Sequence, residues 1–262
     1  MLIKFVKKEM LFPMNILSEG LFSLLADGGR ISDGTWQYYT VYALLILFSI
    51  CSAYLLGSIN SAIIVSKTIY REDIRSYGSG NAGLTNVLRT YGKGAAALTL
   101  VGDMLKTALA ILVAGILLGF SYSNGISIGN GYCYLAGLFA VIGHIFPVYY
   151  GFRGGKGVLA TSTMALILTP VPFLILITVF IIIVAISKFV SLGSVCVAAL
   201  YPITVFLYAL ISHGTNPLSA LLIICTLLLA IIVIWCHREN LKRIANGNER
   251  KISFTKKDKT ER

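Results

Sequence analysis

The sequence predicts an all-α protein, a polytopic membrane helix bundle with about seven transmembrane helices. Hydrophobic residues make up 56% of the 262 residues, charged residues make up only 13%, and the mean hydropathy is +0.81. A soluble domain carries roughly 25% charged residues and does not need so much apolar surface. Most of the chain consists of apolar stretches of about 20 residues, the length that crosses a bilayer as a helix.

Six apolar stretches follow one another along the chain, at about 38–57, 95–120, 131–149, 157–187, 190–211 and 217–236. The fourth is too long for one comfortable span. It is interrupted by Pro170 and Pro172, which remove backbone donors and disfavour helix in the residues before them. We therefore expect two short helices that form a hairpin there, and seven helices in total.

The distribution of basic residues decides between six and seven helices. Segments 120–131 and 212–217 contain no Lys or Arg, whereas nearly all basic residues between the spans lie in 67–93, in 153–156, at Lys188 and in the tail from Arg238. Only seven helices place every basic segment on one side, which the positive-inside rule makes the cytoplasmic side. The N-terminus is then outside and the C-terminus is cytoplasmic.

The chain divides into three regions. Residues 1–36 form an N-terminal extension suited to the membrane interface, residues 37–250 form the transmembrane domain, and residues 251–262 form a basic cytoplasmic tail. The extension lacks the apolar core and small-residue site of a cleaved signal peptide. Positive-inside loops account for the net charge of +11, so no nucleic-acid partner is expected.

The first polar segment, 78–93, has the composition of an anion site. Its glycines allow backbone N–H groups to approach a ligand closely, and further donors come from Ser79, Asn81, Thr85 and Asn86. Asn86, Arg89 and Lys93 recur on one helical face. A solvated, positively charged loop would have the same spacing, so the pattern alone does not decide.

The second polar segment lies between two apolar helices and contains Gly154, Gly155, Lys156 and Gly157. Glycines and a lysine before a helix start suit a phosphate, because free N–H groups and the helix dipole favour an anion. The spacing of a Walker A loop is absent, so a nucleotide is not implied. His144, at the end of the preceding helix, is a candidate for either an acid–base or a structural role.

A third polar segment follows the last span, where His237 and Asn240 share a helical face and Glu249 lies further on. Taken alone, this segment is an ordinary basic segment of the kind that follows a transmembrane helix. Ser191 and Ser194 form a weaker cluster at the same membrane level. Asp103 and Lys106 lie one turn apart inside the second span, where charges are costly, so we expect them to face the bundle as a supporting pair.

Taken in order, these motifs resemble the bacterial acyl-phosphate:glycerol-3-phosphate acyltransferase family over about residues 50–250. The first motif is carried by 79–93, the second by 143–158 and the third by 237–249, with the serine run 191–194 before it. Three positions depart from the family pattern: Asn60 replaces a usual proline, Leu84 replaces an alanine, and Leu159 is an extra residue.

The resemblance implies an enzyme that transfers a fatty acyl group from acyl phosphate to glycerol 3-phosphate. The products would be lysophosphatidic acid and phosphate, in the first step of phospholipid synthesis. It also implies a multi-pass protein of the bacterial cytoplasmic (inner) membrane with its active site facing the cytoplasm. We expect a monomer whose partners are the two substrates and the lipid bilayer, with no cofactor and no metal.

The resemblance also assigns roles to individual residues. It gives catalytic roles to Lys156, Arg89, His237 and Asn240. It gives phosphate and substrate binding to Ser79, Asn81, Thr85, Asn86, Gly154, Gly155, Gly157, Ser191 and Ser194. Supporting roles fall to His144, Asp103, Lys106 and Glu249.

Several mechanistic points stay open at this level. Either cationic segment could bind either phosphate, and we expect the substrate's own phosphate to accept the hydroxyl proton rather than a dedicated general base. No serine or cysteine has a triad-like context. An organophosphate transporter and a lipid-phosphate phosphatase are the competing functions. The first usually shows an internal repeat, which is not found here, and the second usually needs a nucleophile or metal-binding carboxylates.

Overall fold

The computed structural model describes residues 20–23, 34–123, 126–129, 131–212 and 217–252. From residue 34 onward they form a helix bundle with ten α-helices: α1 (Trp36–Ser58), α2 (Ser61–Ile69), α3 (Leu84–Tyr91), α4 (Lys93–Leu118), α5 (Gly131–Ile145), α6 (Val158–Leu168), α7 (Pro170–Ser187), α8 (Val190–Ser212), α9 (Pro217–Cys236) and α10 (Arg238–Ala245). Short 3-10 turns occur at Ile74–Ser76 and Val148–Tyr150. The predicted helix bundle is confirmed.

A short antiparallel hairpin joins α4 to α5. Its strands are β1 (Phe120–Ser123) and β2 (Ile126–Gly129), paired in register from Phe120 with Gly129 to Ser123 with Ile126. This stretch was predicted only as an uncharged connection between two spans. The hairpin is a local addition to a helical fold.

Five helical stretches of the described chain have the length and composition to cross a membrane: Trp36–Ile69, Lys93–Leu118, Gly131–Tyr150, Pro170–Ser187 and Val190–Ile211. The pair Leu221–Cys236 and Arg238–Ala245, bent by 51°, adds a sixth candidate. Helix α6 is apolar but has only 11 residues. It is therefore about 16 Å long, roughly half the hydrocarbon thickness of a bilayer.

The predicted break inside 157–187 is confirmed at Thr169. Pro170 takes the first position of α7, where its missing N–H would have no intrahelical partner anyway. The end of α6 is fixed on two sides: the Tyr134 hydroxyl donates to the carbonyl of Leu168 at 3.1 Å, and the Thr169 hydroxyl lies 3.3 Å from that of Tyr201. Helix α6 is therefore a short element held against α5 and α8.

A second break separates α1 from α2 at Asn60, the position where the family pattern has proline. The Asn60 Oδ1 accepts a hydrogen bond from the N–H of Ile63 at 3.1 Å and caps α2. Its Nδ2 donates to the carbonyl of Ala82 at 3.3 Å, inside the first polar segment. Proline could make neither bond, so this chain uses Asn60 to connect α2 to that segment.

Helices α1 and α5 pack with their backbones almost in contact. A Cβ added at Gly57 would lie 2.1 Å from the carbonyl oxygen of Ala140, and one added at Gly143 would lie 2.3 Å from that of Tyr54. Close approach through small residues is typical of helices packed in a membrane. This contact fixes the end of α5 that carries His144.

Two regional predictions lie mainly outside the described residues. These are the interfacial placement of the extension 1–36, of which 1–19 and 24–33 are not described, and the tail 251–262, of which 253–262 are not described. At the start of that tail, the N–H of Ile252 donates to the carbonyl of Lys188 at 2.8 Å. The domain boundaries and the orientation of the termini remain predictions.

Candidate active site

A cleft of about 660 Å³ opens where the polar segments meet at one end of the bundle. Most predicted site residues line it: Ser79, Asn81, Thr85, Asn86, Arg89, Asp103, His144, Lys156, Gly157, Ser191, Ser194, His237, Asn240 and Glu249. Gly154, Gly155 and Lys106 do not line it and lie behind its wall. Segments that are far apart in the sequence therefore meet in one site.

The loop before α3 is shaped by the side chain of Asn86, which is only 2% exposed. Its Oδ1 accepts the N–H of Ser79 at 3.0 Å. Its Nδ2 lies 2.9 to 3.3 Å from three carbonyl oxygens, those of Tyr77, Asn81 and Ile74. Because its amide is used inside the loop, Asn86 positions the segment, while Ser79, Thr85 and Arg89 remain on the wall.

Arg89, near the end of α3, contacts the C-terminal segment across the cleft. Its Nη2 donates to the backbone carbonyl of Arg250 at 3.3 Å. Arg250 also lines the cleft, whereas Lys93, on the predicted face of Asn86 and Arg89, is exposed outside it. The first motif therefore contributes one guanidinium to the site.

Gly154 and Gly155 allow the second segment to pack tightly against the end of α5. Their N–H groups donate to the carbonyls of Ile145 and His144, each at 3.1 Å. A Cβ at Gly154 would lie 2.0 Å from the carbonyl oxygen of His144, and one at Gly155 would lie 2.0 Å from its Nε2. These two N–H groups are thus already paired within the protein, although they were predicted to bind phosphate.

The unpaired donors of this segment lie one step further along the chain. Gly157, at φ 79°, is the residue before α6, and the first helical hydrogen bond runs from the N–H of Thr161 to its carbonyl at 2.8 Å. A helix start leaves its first N–H groups without intrahelical partners. Within the described part of the chain, the N–H groups of Val158 and Leu159 have no acceptor, and both residues line the cleft.

Lys156 lies beside these donors and reaches across to α10. Its Nζ donates a hydrogen bond to Oδ1 of Asn240. Burial and the positive charge of Arg243 hold the pKa of Lys156 below its usual value, while the charge of Glu249 opposes this shift. Lys156 is therefore a cation fixed in the cleft wall.

Glu249 connects three of the elements around the cleft. Its Oε1 accepts from the hydroxyl of Ser191 at 2.8 Å and from Nδ2 of Asn240 at 2.7 Å, and its Oε2 accepts from Nε of Arg243 at 2.8 Å. The side chain is 7% exposed. Burial opposes its charge, but these three hydrogen bonds and the charge of Arg243 hold the pKa of Glu249 below its usual value.

His237 lies at the bend between α9 and α10 and is 4% exposed. Its Nδ1 is 2.8 Å from the carbonyl oxygen of Val233. Because a carbonyl only accepts, Nδ1 carries the proton. In the neutral ring, Nε2 is then the nitrogen that can accept a hydrogen bond from a ligand in the cleft.

Asp103, Lys106 and His144 form a buried cluster at the cleft wall, where Asp103 and His144 line the cleft and Lys106 lies behind them. The predicted pairing of Asp103 with Lys106 is present, with Nζ 2.9 Å from Oδ1 and exposed side-chain fractions of 1% and 4%. The same Nζ donates to the carbonyl of Ile59 at 2.7 Å and lies 2.9 Å from Nδ1 of His144. An ammonium has only donors, so Nδ1 of His144 accepts. Nδ1 of His144 is therefore used for the hydrogen bond with Lys106.

The predicted site residues did not include several lining residues with polar side chains, Arg243, Asn248, Arg250, Ser162 and Thr163, or the apolar Met104. Arg243 belongs to the third motif but was given no role, although it follows Asn240 by three residues on the same helical face. Arg250 gave no distinct signal, since a basic residue after a last span is expected from topology alone. Together with Arg89 and Lys156, the two arginines give the described cleft wall four cations.

An apolar pocket continues from the cleft into the bundle. The two share six lining residues: Val158, Ser162, Phe173, Ile177, Phe180 and Ser194. The pocket then runs between α6, α7 and α8 to Tyr201, and most of the side chains that line it are apolar. A ligand that fits both parts would be anionic at one end and apolar at the other.

Fold and site together define an integral membrane helix bundle with a cationic cleft that continues into an apolar pocket. A family profile described as Glycerol-3-phosphate acyltransferase matches residues 47–247. The chain therefore belongs to the glycerol-3-phosphate acyltransferase family.

Similar proteins from several bacteria carry that name, and two of them are given as examples. The Glycerol-3-phosphate acyltransferase of Clostridioides difficile (strain 630) is 43% identical over 210 residues, which cover 78% of this chain and 94% of that protein. The one of Listeria monocytogenes serotype 4a (strain HCC23) is 38% identical over 210 residues, covering 80% and 98%.

The fold is also similar to crystal structures of PlsY, an integral membrane glycerol 3-phosphate acyltransferase. Its glycerol 3-phosphate form matches with a TM-score of 0.66 and 32% identity, covering 79% of this chain and 96% of that chain. Its lysophosphatidic acid form matches with a TM-score of 0.64 and 30% identity, covering 79% and 95%.

Proposed function

We propose that this protein transfers a fatty acyl group from an acyl phosphate to glycerol 3-phosphate, giving lysophosphatidic acid and inorganic phosphate, the first step of phospholipid synthesis. The observation that carries the proposal is the continuity of a four-cation cleft with an apolar pocket. An acyl phosphate joins one phosphate to an apolar chain, and glycerol 3-phosphate brings a second phosphate. One site must therefore neutralise two phosphates beside a groove for hydrocarbon.

The reaction exchanges one bond for another at the acyl carbon. A hydroxyl oxygen of glycerol 3-phosphate attacks that carbon and forms the ester bond. The bond from the carbon to the bridging phosphate oxygen breaks, its electron pair stays on phosphate, and the hydroxyl proton passes to a phosphate oxygen. Since an acyl phosphate is already activated, positioning and charge neutralisation supply most of the rate, and no cofactor or metal is needed.

The apolar pocket suggests which phosphate binds on which side. Its lining begins at Val158 and Ser162, on the first turns of α6 and next to Lys156. In the proposal, Lys156 and the unpaired N–H groups at the start of α6 bind the acyl phosphate, and those N–H groups also stabilise the developing oxyanion. Arg89 binds glycerol 3-phosphate from the other wall, with Ser79, Asn81 and Thr85.

The remaining predicted residues position these groups. Nε2 of His237 is an acceptor for the glycerol backbone, and Asn240 holds the Lys156 ammonium. Glu249 orders Ser191, Asn240 and Arg243 through its three hydrogen bonds. The proposal assigns His144 a structural role, because its Nδ1 accepts from Lys106.

The proposal also places the protein in the bacterial cytoplasmic (inner) membrane, as a monomer with the cleft facing the cytoplasm. The cleft lies at the end of the bundle that collects the basic segments, and the positive-inside rule puts such segments in the cytoplasm. The C-terminus is then cytoplasmic and the N-terminus is outside.

The test is phosphate release from palmitoyl phosphate by detergent-purified protein, with and without glycerol 3-phosphate. We expect release that depends on the acceptor, formation of lysophosphatidic acid, and near-complete loss in Lys156→Ala and Arg89→Ala. Lys242→Ala is the matched control, because Lys242 is 70% exposed and bonds only Glu239 among the described side chains. Release that is independent of acceptor would show a phosphatase, and no release by folded protein would favour a transporter.

A further inference from the structure

The two carboxylate oxygens of Asp103 have unequal surroundings. Oδ1 lies 2.9 Å from Nζ of Lys106 and accepts the N–H of Ser61 at 3.4 Å. Oδ2 is buried and has no hydrogen-bond partner among the described residues. A buried polar atom without a partner is costly, and Asp103 is one of the residues that line the cleft. Oδ2 is therefore an acceptor with open capacity on a residue of the cleft wall, just beneath its surface.

The rest of the cleft narrows the class of ligand group that Oδ2 would accept. Among the described lining residues, Asp103 and Glu249 are the two carboxylates, and both oxygens of Glu249 are already used. The four cations of the wall attract phosphate, whereas a carboxylate oxygen repels it. A neutral hydroxyl donor is the group that satisfies Oδ2.

The surroundings of Asp103 hold this oxygen in a fixed place. Lys106 is anchored to the carbonyl of Ile59 and to Nδ1 of His144 as well as to Asp103. The N–H of Ser61 comes from the first turn of α2, which Asn60 caps. A group held by several packed elements can select between closely similar ligands.

We infer that Oδ2 of Asp103 accepts a hydrogen bond from the hydroxyl of glycerol 3-phosphate that is not acylated, which makes Asp103 a specificity-determining residue. The inference rests on the proposed function. In that reaction a phosphate oxygen of the donor takes the proton of the attacking hydroxyl, so no base is needed there. The second hydroxyl needs an acceptor of its own inside a cationic site, because Nε2 of His237 offers only one lone pair to the glycerol backbone.

The experiment compares two acceptors, glycerol 3-phosphate and 3-hydroxypropyl phosphate, which lacks the second hydroxyl. Wild type and Asp103→Asn are assayed with palmitoyl phosphate as donor. The asparagine keeps the shape and one oxygen for Lys106 but puts an N–H donor group in place of Oδ2. We expect wild type to prefer glycerol 3-phosphate by about 10- to 100-fold in kcat/KM, the range for a hydrogen bond to a charged group.

In Asp103→Asn the preference for glycerol 3-phosphate should fall to about threefold or less. The substitution should lower kcat/KM mainly for glycerol 3-phosphate, because only this substrate carries the second hydroxyl. The KM for palmitoyl phosphate should not change. An unchanged preference in the variant, no preference in wild type, or an equal loss on both acceptors would each overturn the inference. An equal loss would mean that Asp103 acts on the attacking hydroxyl or on the fold.

A second variant covers the case in which Asp103→Asn alone does not fold. The double substitution Asp103→Asn with Lys106→Gln removes both charges of the buried pair, and it is assayed with the same two acceptors. Failure of the proposed function looks different, since wild type would then not acylate glycerol 3-phosphate at all. Acylation with a preference that survives in the variants would refute only the role of Asp103.

Discussion

Oδ1 of Asn240 accepts a hydrogen bond from the ammonium of Lys156, which joins the loop before α6 to the helix after the last apolar span. The Nδ2 of the same amide donates to Glu249 at 2.7 Å. One side chain thus connects the cation of the second motif to the carboxylate of the third. Lys156, Asn240 and Glu249 therefore form one hydrogen-bonded connection across the cleft.

Asn240→Asp should nearly abolish acyl transfer. The substitution keeps an acceptor for Lys156 but replaces the donor to Glu249 by a second carboxylate. Like charges buried together cost about 3 kcal/mol or more, so we expect about a 100-fold loss in kcat/KM. The measurement is the rate of lysophosphatidic acid formation. Asn246→Asp, at an exposed position at the end of α10, should change the rate less than twofold, and equal effects of the two substitutions would argue against the connection.

Activity should decline at alkaline pH with a midpoint below 10.5, the ordinary pKa of lysine, because burial and Arg243 lower the pKa of Lys156. Arg243→Gln removes a neighbouring positive charge, so it should raise this pKa and move the decline to higher pH. Glu249→Gln removes a negative charge and should move it to lower pH. The measurement is kcat/KM between about pH 7 and 11. Shifts in the reverse directions would contradict this electrostatic account.

Glu249 should make stability depend on acid pH. Its folded-state pKa lies below the usual 4.5, so its stabilisation is complete above 4.5 and is lost as the pH falls through the folded value. We expect the Tm of the wild-type protein in detergent to decrease as the pH drops below about 4.5. Glu249→Gln should have a lower Tm at pH 7 and a weaker acid dependence. Glu239→Gln, at a site 57% exposed, should behave like wild type at both pH values.

Gly155→Ala should inactivate the protein. The new Cβ would lie 2.0 Å from Nε2 of His144 and 2.9 Å from the carbonyl oxygen of Ala82, so the loop that carries Lys156 must shift. Overpacking of this kind costs about 1–3 kcal/mol and should lower both Tm and activity. Gly94→Ala in α4 is the control, because a Cβ there meets nothing within 4 Å. Wild-type activity in Gly155→Ala would show that the loop has room to move.

Asn86→Asp should weaken binding of glycerol 3-phosphate. The aspartate keeps the acceptor for the N–H of Ser79. Its second oxygen, however, faces the carbonyls of Ile74, Tyr77 and Asn81, which in the wild type accept hydrogen bonds from Nδ2 of Asn86. The loop should open, and the KM for glycerol 3-phosphate should rise about tenfold or more, while that for palmitoyl phosphate changes less. An unchanged KM would mean that the loop does not shape the acceptor site.

The long helices could be predicted from the sequence because apolar length and proline position are local signals. Pro170 and Pro172 located the break at Thr169 correctly. Helix α2 and the hairpin of β1 and β2 were not predicted, and α3 was anticipated only as a helical face through Asn86 and Arg89. The cap of α2 by Asn60 is a local signal, whereas the bond from Asn60 to Ala82, 22 residues further on, is not visible in a sequence window.

The site was predictable as a set of residues but not as a set of bonds. Arg89, Lys156, His237 and Asn240 do meet at one cleft, as the motif order implied. The N–H groups of Gly154 and Gly155 were expected at a phosphate and instead pair with the end of α5. Which donors stay unpaired depends on how the loop packs in three dimensions, and the same is true of Oδ2 of Asp103.

The short length of α6 has a consequence for biogenesis. Eleven residues form too weak a signal to be recognised as a span by the translocon, whereas Pro170–Ser187, with a mean hydropathy of 2.8, is a strong one. The two helices must then enter the bilayer as a hairpin, with α7 supplying the free energy of partitioning. We expect a charged residue in the middle of α7 to keep α6 out of the bilayer, so that Lys156 does not reach its place beside Asn240.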